Sequence, residues 1–388
     1  MTWKSYDVRF PPGIVYGLQA SSLVGMEAAK LGRKALLVAG NVVKNLGYVD
    51  VIKDRVKSEG VEVITYIKDD REPTVEHVEA GLKLFSDNGC DLIIALGGGS
   101  AIDTAKAIGI LATNGGTLSD YMGMYKVKKP IPPLVAIPTT SGTGSEVTRF
   151  TVITNPANNV KMLIGSPLII PSVAIDDPEL TITMPPKITA ATGIDAFTHA
   201  IEAYISKRSH PLSDTLARSA IRRIARYIRR AWAVPEDIEA RSQMMLGSLE
   251  AGLAFSNSSV TIVHGMSRPI GAIFGVPHGI SNALLLPTCM EFCMVGSLEK
   301  FADIAELMGE DVKGLPLWKA AEKAVEAIRR LCEDLQIPKT VTGLGIDKER
   351  FMEVIPKMAE DALASGSPAN APRVATKEDI MELYRRVI

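Results

Sequence analysis

Charge of one sign is what this 388-residue sequence most plainly lacks. Its 43 Lys and Arg nearly balance 44 Asp and Glu, leaving a formal net charge of −1. No basic field exists to hold nucleic acid or an anionic membrane surface. Long apolar runs are also missing, and none approaches the roughly 18 residues that a membrane helix needs. The opening MTWKSYDVRFPPG lacks the apolar stretch of a secretory signal. Cysteine is scarce: Cys90, Cys289, Cys293 and Cys332 show no zinc-ribbon spacing. Cys289 and Cys293, four apart, could ligate a metal, but two buried thiols on one helix face fit better. A soluble, cytoplasmic protein in a reducing compartment is expected. No internal repeat or low-complexity segment stands out. Histidine is rare as well, with five in all, so where they fall carries information.

What is present is apolar mass. Hydrophobic residues make up 46% and charged residues 22%, which allows a sizeable core and argues against disorder. The length suits two domains. DVRFPPGIVYGL (7–18) reads as an edge hairpin or strand pair broken by Pro11 and Pro12. A helix is expected over 19–32. KALLVAG (34–40), VEVITYI (61–67), DLIIALGGGS (91–100) and PLVAIPTTSGTGSE (133–146) contain continuous apolar runs of the buried parallel-strand kind. Helical patterns separate them at about 47–59, 73–87 and 100–113. Strand-like runs at 148–155, 161–166 and 171–177 look partly antiparallel. After MPPKIT (184–189) strand-like runs stop, and helical patterns follow at 189–207, 211–231, 236–256, 259–273, 297–308, 317–336, 348–363 and 376–386. Alternating β and α elements argue for a parallel, doubly wound sheet. The expected layout is an α/β N-terminal domain with a Rossmann-like parallel sheet (residues 1–185) and an all-α C-terminal domain (residues 186–388).

Two turns carry chemistry in the first half. Gly97, Gly98, Gly99 and Ser100 stand between a strand and a helix. Glycines let backbone approach a pyrophosphate, and a helix N-terminus offers free N–H groups and a positive dipole end. The Gly-x-Gly-x-x-Gly fingerprint is absent, and a tight turn with no ligand is the competing reading. Asp103, one turn in, caps that helix or sits near a ligand. The second turn, Thr139 to Glu146, supplies hydroxyls and amides. Two such turns at carboxyl ends of parallel strands point to one ligand crossing the sheet edge.

The second half holds the stretch TGIDAFTHAIEAY (192–204). Asp195 and His199 are four apart there, so on a helix they share a face at about 5–6 Å between Cβ atoms. His264 in VHGMSRP and His278 in VPHGISN follow. One carboxylate and three imidazoles suit Fe(II), Zn(II) or Mn(II). An ordinary Asp–His hydrogen bond is the alternative for the first pair. His77 and His210 lie in polar contexts and read as surface residues.

Five ordered stretches now carry a resemblance: GGGSAIDTAKAI (97–108), PTTSGTGSEVT (138–148), DPELTITMPP (177–186), ATGIDAFTHAIEAY (191–204) and HGMSRPIGAIFGVPHG (264–279). Together they resemble the iron-dependent (group III) alcohol dehydrogenases over nearly the whole chain. The resemblance implies a dehydroquinate synthase-like architecture, with metal chemistry in a cleft between the domains. It implies Asp195, His199, His264 and His278 as metal ligands, and Gly97, Gly98, Gly99 and Ser100 as the pyrophosphate turn. Thr139, Thr140 and Thr143 match positions near the nicotinamide, Lys161 a lysine that reaches the cofactor, and Leu180 an apolar cofactor contact. Phe150 and Phe255 match positions that line the substrate pocket. A homodimer or larger homo-oligomer is implied too.

Two departures from the family pattern matter. Many NAD-using members end the second strand with an aspartate on the adenosine ribose; here Gly40 and Asn41 stand there. Loss of that carboxylate makes room for a 2′-phosphate, with Lys44 near, and favours NADP(H) over NAD(H). Many members also carry a histidine four residues after the third ligand, where this chain has Arg268. An arginine does not shuttle protons near neutral pH. Arg268 either orients a polar or anionic substrate or pairs with an acidic side chain, the second being the simpler reading. The expected activity is metal-dependent hydride transfer between NAD(P)(H) and a small primary alcohol, diol or aldehyde, the metal acting as Lewis acid. The alternatives are a glycerol dehydrogenase or maleylacetate-reductase-like oxidoreductase, a dehydroquinate-synthase-like lyase, which needs a more basic pocket, and a cofactor-binding protein without catalysis.

Overall fold

The computed structural model describes residues 5–157 and 160–388. It contains two compact units, one of Arg9–Thr183 and one of Met184–Ile388 together with the described residues up to Val8. Residues 5–8 thus group with the helical unit rather than the sheet unit. Tyr6 explains part of this: its ring lies 4.7 Å from that of His210.

In the sheet unit, nine strands form among the described residues: β1 (Gly13–Tyr16), β2 (Lys34–Gly40), β3 (Glu62–Lys68), β4 (Leu92–Gly97), β5 (Gly123–Met124), β6 (Leu134–Pro138), β7 (Phe150–Asn155), β8 (Val160–Gly165) and β9 (Val173–Asp176). Six make one parallel sheet in the order β1-β9-β6-β4-β2-β3. The apolar runs of β2, β4 and β6 occupy its centre and are buried on both faces. That is why they show no alternation in sequence. The chain steps from β2 outward to β3, then crosses back to β4 on the other side of β2. The carboxyl ends of β2 and β4 are therefore adjacent at the point where strand order reverses, the place where open α/β sheets take ligands.

The hairpin expectation is corrected here. Residues 7–18 form no hairpin: only β1 is made, pairing in parallel with β9. Pro11 and Pro12 lack the N–H groups that a returning strand needs. The three later runs are partly antiparallel, as expected: β7 and β8 are antiparallel to each other, and β9 joins the parallel sheet.

The helical unit contains nine α-helices among the described residues, from Pro186–Ile205 to Lys377–Arg385. Of the helix His278–Met294, only the face carrying Cys289 and Cys293 is anticipated by the sequence. The helix is buried on nearly all sides, so it has no polar stripe to mark its period, and it carries Pro287, a residue that ordinarily argues against a helix interior. The Pro186–Ile205 helix is similarly enclosed. Its start is clamped by Arg241, which donates to the Met184 and Pro235 carbonyls and the Thr189 hydroxyl at 2.8–3.1 Å. Gly279 allows the close approach that matters most: a Cβ there would lie 2.4 Å from the Ala191 carbonyl oxygen. The His278–Met294 helix can therefore seat its first turn on the backbone of the Pro186–Ile205 helix, one turn before Asp195. No described helix is long and apolar enough to cross a membrane.

Candidate metal centre and cofactor turns

Three helices deliver the four predicted ligands to one place. Asp195 and His199 stand one turn apart on Pro186–Ile205, His264 lies in the first turn of Ile262–Phe274, and His278 opens His278–Met294. Asp195, His199 and His264 present ligand atoms within 4.8 Å of one another. Asp195 Oδ1 lies 3.7 Å from His264 Nε2 and 3.8 Å from His278 Nε2. The His199 ring stacks on His264 at 4.4 Å, and His264 and His278 are 5.2 Å apart between centroids. Asp195, His199 and His264 are buried, whereas the His278 side chain is 31% exposed, so the cluster opens on that side. Burial pushes the Asp195 carboxyl up, but the imidazoles of His199, His278 and His264 outweigh it and hold it well below the usual range.

Glu202 went unnoticed in the sequence. It lies seven residues after Asp195, on the same helix face, and is fully buried. Its Oε2 is 2.6 Å from His264 Nδ1, and its Oε1 accepts from Thr261 Oγ1 at 2.6 Å and the Val263 N–H at 2.7 Å. The carboxylate keeps the proton of His264 on Nδ1 and leaves Nε2 with its lone pair toward Asp195. The signal was available as the spacing Asp195, His199, Glu202. Asn282 was also missed. Its Nδ2 lies 2.6 Å from Asp195 Oδ1 and 3.1 and 3.2 Å from His264 and His278 Nε2. Its amide oxygen is buried with no hydrogen-bond donor among the described residues. Four converging donors of the right chemistry, with this orphaned oxygen in the amide beside them, fit a divalent transition ion.

In the sheet unit, Gly97 ends β4 at φ 149°, a conformation glycine adopts without strain. Gly98 and Gly99 start the Gly99–Asn114 helix. A Cβ on Gly99 would meet Thr143 at 2.7 Å, so the glycine turn and the hydroxyl turn touch. Thr139 donates its N–H to the Gly97 carbonyl at 3.0 Å. Ser100 donates its hydroxyl to the Arg71 carbonyl at 3.2 Å. Asp103 is engaged inside the protein, accepting from Ser145 Oγ at 2.6 Å and the Val152 N–H at 2.8 Å. Lys106, which the sequence reading passed over, is completely buried. Its Nζ donates to the carbonyls of Ser145, Thr148 and Phe150 at 2.6–2.9 Å. Burial lowers its pKa to about 8. Asp103 and Lys106 therefore brace the second turn from one helix.

The remaining predicted residues fall as follows. Lys161 Nζ lies 3.5 Å from Glu72 Oε2. Leu180 is buried against the apolar cluster that includes β2, β4 and β6 residues. Asn41 opens a short helix behind Gly40, and Lys44 is exposed. Phe255 stacks on His199 at 4.2 Å. Phe150 starts β7 in the sheet unit. Arg268, one turn past His264, donates to Ser367 Oγ at 3.0 Å. His77 and His210, expected at the surface, are buried. Each joins a capping box at a helix start, with Thr74 and Ser213 respectively, a role open to an imidazole once it gives up water for backbone N–H groups. All four cysteines are buried free thiols.

Comparison with known proteins matches residues 11–178 to the family described as iron-containing alcohol dehydrogenase, and residues 189–388 to the C-terminal part of the Fe-containing alcohol dehydrogenase family. The chain is 42% identical over 389 residues to a 1,3-propanediol dehydrogenase of Klebsiella pneumoniae, covering all of both chains. It is 39% identical to an NAD-dependent methanol dehydrogenase of Bacillus methanolicus, covering 97% of this chain and 98% of that one. A crystal structure of a 1,3-propanediol oxidoreductase superposes with a TM-score of 0.96 at 42% identity, covering 99% of this chain and 100% of the other.

Proposed function

The chain belongs to the iron-containing alcohol dehydrogenase family, whose members are metal-dependent alcohol and aldehyde oxidoreductases, and on that premise we propose that it moves hydride between a nicotinamide dinucleotide and a short primary alcohol, diol or aldehyde. The observation that carries this reading is the meeting of Asp195, His199, His264 and His278 from three helices. These four would hold Fe(II); the same donor set also accepts Zn(II). When bound, such an ion supplies Lewis acidity toward the substrate oxygen.

The chain's own residues prepare the site around it. Glu202 holds the His264 proton on Nδ1. Phe255, stacked on His199, offers an apolar wall suited to a short carbon chain. The N–H groups of Gly99 and Ser100 at the helix start would receive the pyrophosphate, and Thr139, Thr140 and Thr143 the nicotinamide end. Arg268 keeps its proton near neutral pH, so proton exchange is assigned to solvent reaching the exposed edge of His278. Assembly as a homodimer or larger is part of the same reading.

The cofactor preference turns on the end of β2. Gly40 has no carboxylate of its own, but Asp70 brings one there. Its Oδ1 lies 2.9 Å from where a Gly40 Cβ would be, and it accepts the Val42 N–H at 3.2 Å. A carboxylate at this strand end accepts from a ribose 2′-hydroxyl and repels a 2′-phosphate. This supports NAD(H), in place of the NADP(H) that Gly40 alone favours. The test is anaerobic reduction of propanal by chelator-stripped protein, before and after Fe(II) or Zn(II), with NADH and with NADPH. Metal-restored turnover with NADH ahead is expected, and Asp70→Ala should shift the ratio toward NADPH about tenfold. Turnover that ignores metal would refute the site, and a wild-type enzyme preferring NADPH would refute the role of Asp70.

A further inference from the structure

A cation stands on the same helix as His264 in the helical unit. Arg268 is four residues after His264 on the Ile262–Phe274 helix, so their Cβ atoms lie roughly 5–6 Å apart on one face. Its side chain is largely withdrawn from solvent. Burial lowers its pKa from the ordinary arginine value while Glu202 raises it, and a guanidinium remains charged throughout.

The partners of Arg268 do not account for that charge. Its side chain makes one hydrogen bond, to the Ser367 hydroxyl, and no ion pair among the described residues. Glu202 acts on it electrostatically, but both Glu202 oxygens are already engaged by Thr261, Val263 and His264. Arg241 offers the contrast within the same unit. That arginine is buried more completely than Arg268, and it finds three oxygen acceptors, Pro235, Met184 and Thr189. A guanidinium has five N–H donors in a planar fork, and Arg268 spends one of them on protein. Withdrawing a charge from water without a counter-charge is costly unless something supplies one. A carboxylate, sulfonate or phosphate matches the fork in shape and sign.

We propose that Arg268 receives an anionic group of the substrate, so that short aldehydes and alcohols carrying a carboxylate or a similar oxyanion at the far end are preferred over uncharged ones. The proposal rests on the dehydrogenase reading of the neighbouring metal site. In the reduction direction the aldehyde carbon takes hydride from the reduced nicotinamide and the oxygen takes one proton, giving the hydroxy acid and oxidised cofactor; the anionic end is unchanged.

The test compares kcat/KM for 4-oxobutanoate and for butanal on the Fe(II)-loaded full chain, as wild type, R268K and R268M. Wild type should favour 4-oxobutanoate. R268M should lose roughly 100-fold on the anion, mostly through KM, and less than tenfold on butanal, with R268K between. Equal losses on both substrates, or a wild-type preference for butanal, would overturn the proposal. Should R268M fail to fold, the R268K ratio decides in the same way. Should wild type reduce neither aldehyde, the dehydrogenase reading itself fails. The receptor is then judged by calorimetric binding of succinate to the metal-loaded chain: binding lost in R268K or R268M upholds it, and no binding by wild type overturns it.

Discussion

The two units build their sites from different materials. In the sheet unit, the candidate cofactor site is largely backbone at the ends of adjacent parallel strands, braced from below by Asp103 and Lys106. In the helical unit, the candidate metal centre consists of side chains from three helices, held by a buried carboxylate and a buried amide. The first depends on the course of the main chain, so a local change is expected to loosen it by degrees. The second depends on charge and lone-pair direction in a closed space, where one missing atom is expected to abolish it.

His264→Ala should draw this contrast most sharply. It should cost on the order of 10³-fold or more in kcat/KM together with retained metal, while NADH binding by fluorescence stays near wild type. A metal-retaining, active His264→Ala protein would refute the ligand assignment. On the other side, Lys106→Met leaves three carbonyls without their donor and should cost about 3 kcal/mol in denaturant unfolding. Cofactor affinity should fall while metal content holds; unchanged stability and affinity would show that the brace is dispensable.

Glu202→Gln keeps the side-chain volume and removes the charge that orients His264. A loss of metal affinity of about 10- to 100-fold is expected, read by competition with a chelator. An unchanged metal Kd would break the claim that the helical site depends on its buried carboxylate.

The smallest effect concerns pH in the sheet unit. Burial pushes the Glu146 carboxyl up from 4.5 to about 7 against the pull of its own backbone amide and Lys106. Asp176, whose oxygens are buried without hydrogen-bond partners among the described residues, is raised by burial and then by Glu146. A carboxyl raised in the folded state stabilises below its unfolded pKa and loses that stability as pH climbs through the folded value. Stability should therefore fall by about 2 kcal/mol between pH 5 and 7, and Glu146→Gln should flatten the curve. A wild-type profile that rises over this window would contradict the assignment.

How far these features were legible follows from their range along the chain. The glycine turn at 97–99, the hydroxyl turn at 139–146 and the pair Asp195 and His199 are local patterns, and the sequence alone was enough to single them out. So were the buried strands β2, β4 and β6, because a two-sided sheet core leaves a continuous apolar run. The His278–Met294 helix was legible only around Cys289 and Cys293, since enclosure on nearly all sides erases the polar stripe that marks a helix. His77 and His210 were not legible, because their polar neighbours conceal their capping roles.

By itself, then, the sequence determined the alternation of strands and helices, the two glycine- and hydroxyl-rich turns, and the donor types of the metal set, because each is written within a few neighbouring residues. Only the tertiary structure decided that Gly279 brings His278 onto the Ala191 backbone, that Glu202 stands behind His264, that Asp70 fills the place beside Gly40, and that Arg268 lacks an acidic partner among the described residues. Each of these rests on residues 28 to 99 positions apart, and hydrogen bonding and burial at that separation are set by packing rather than by spacing along the chain.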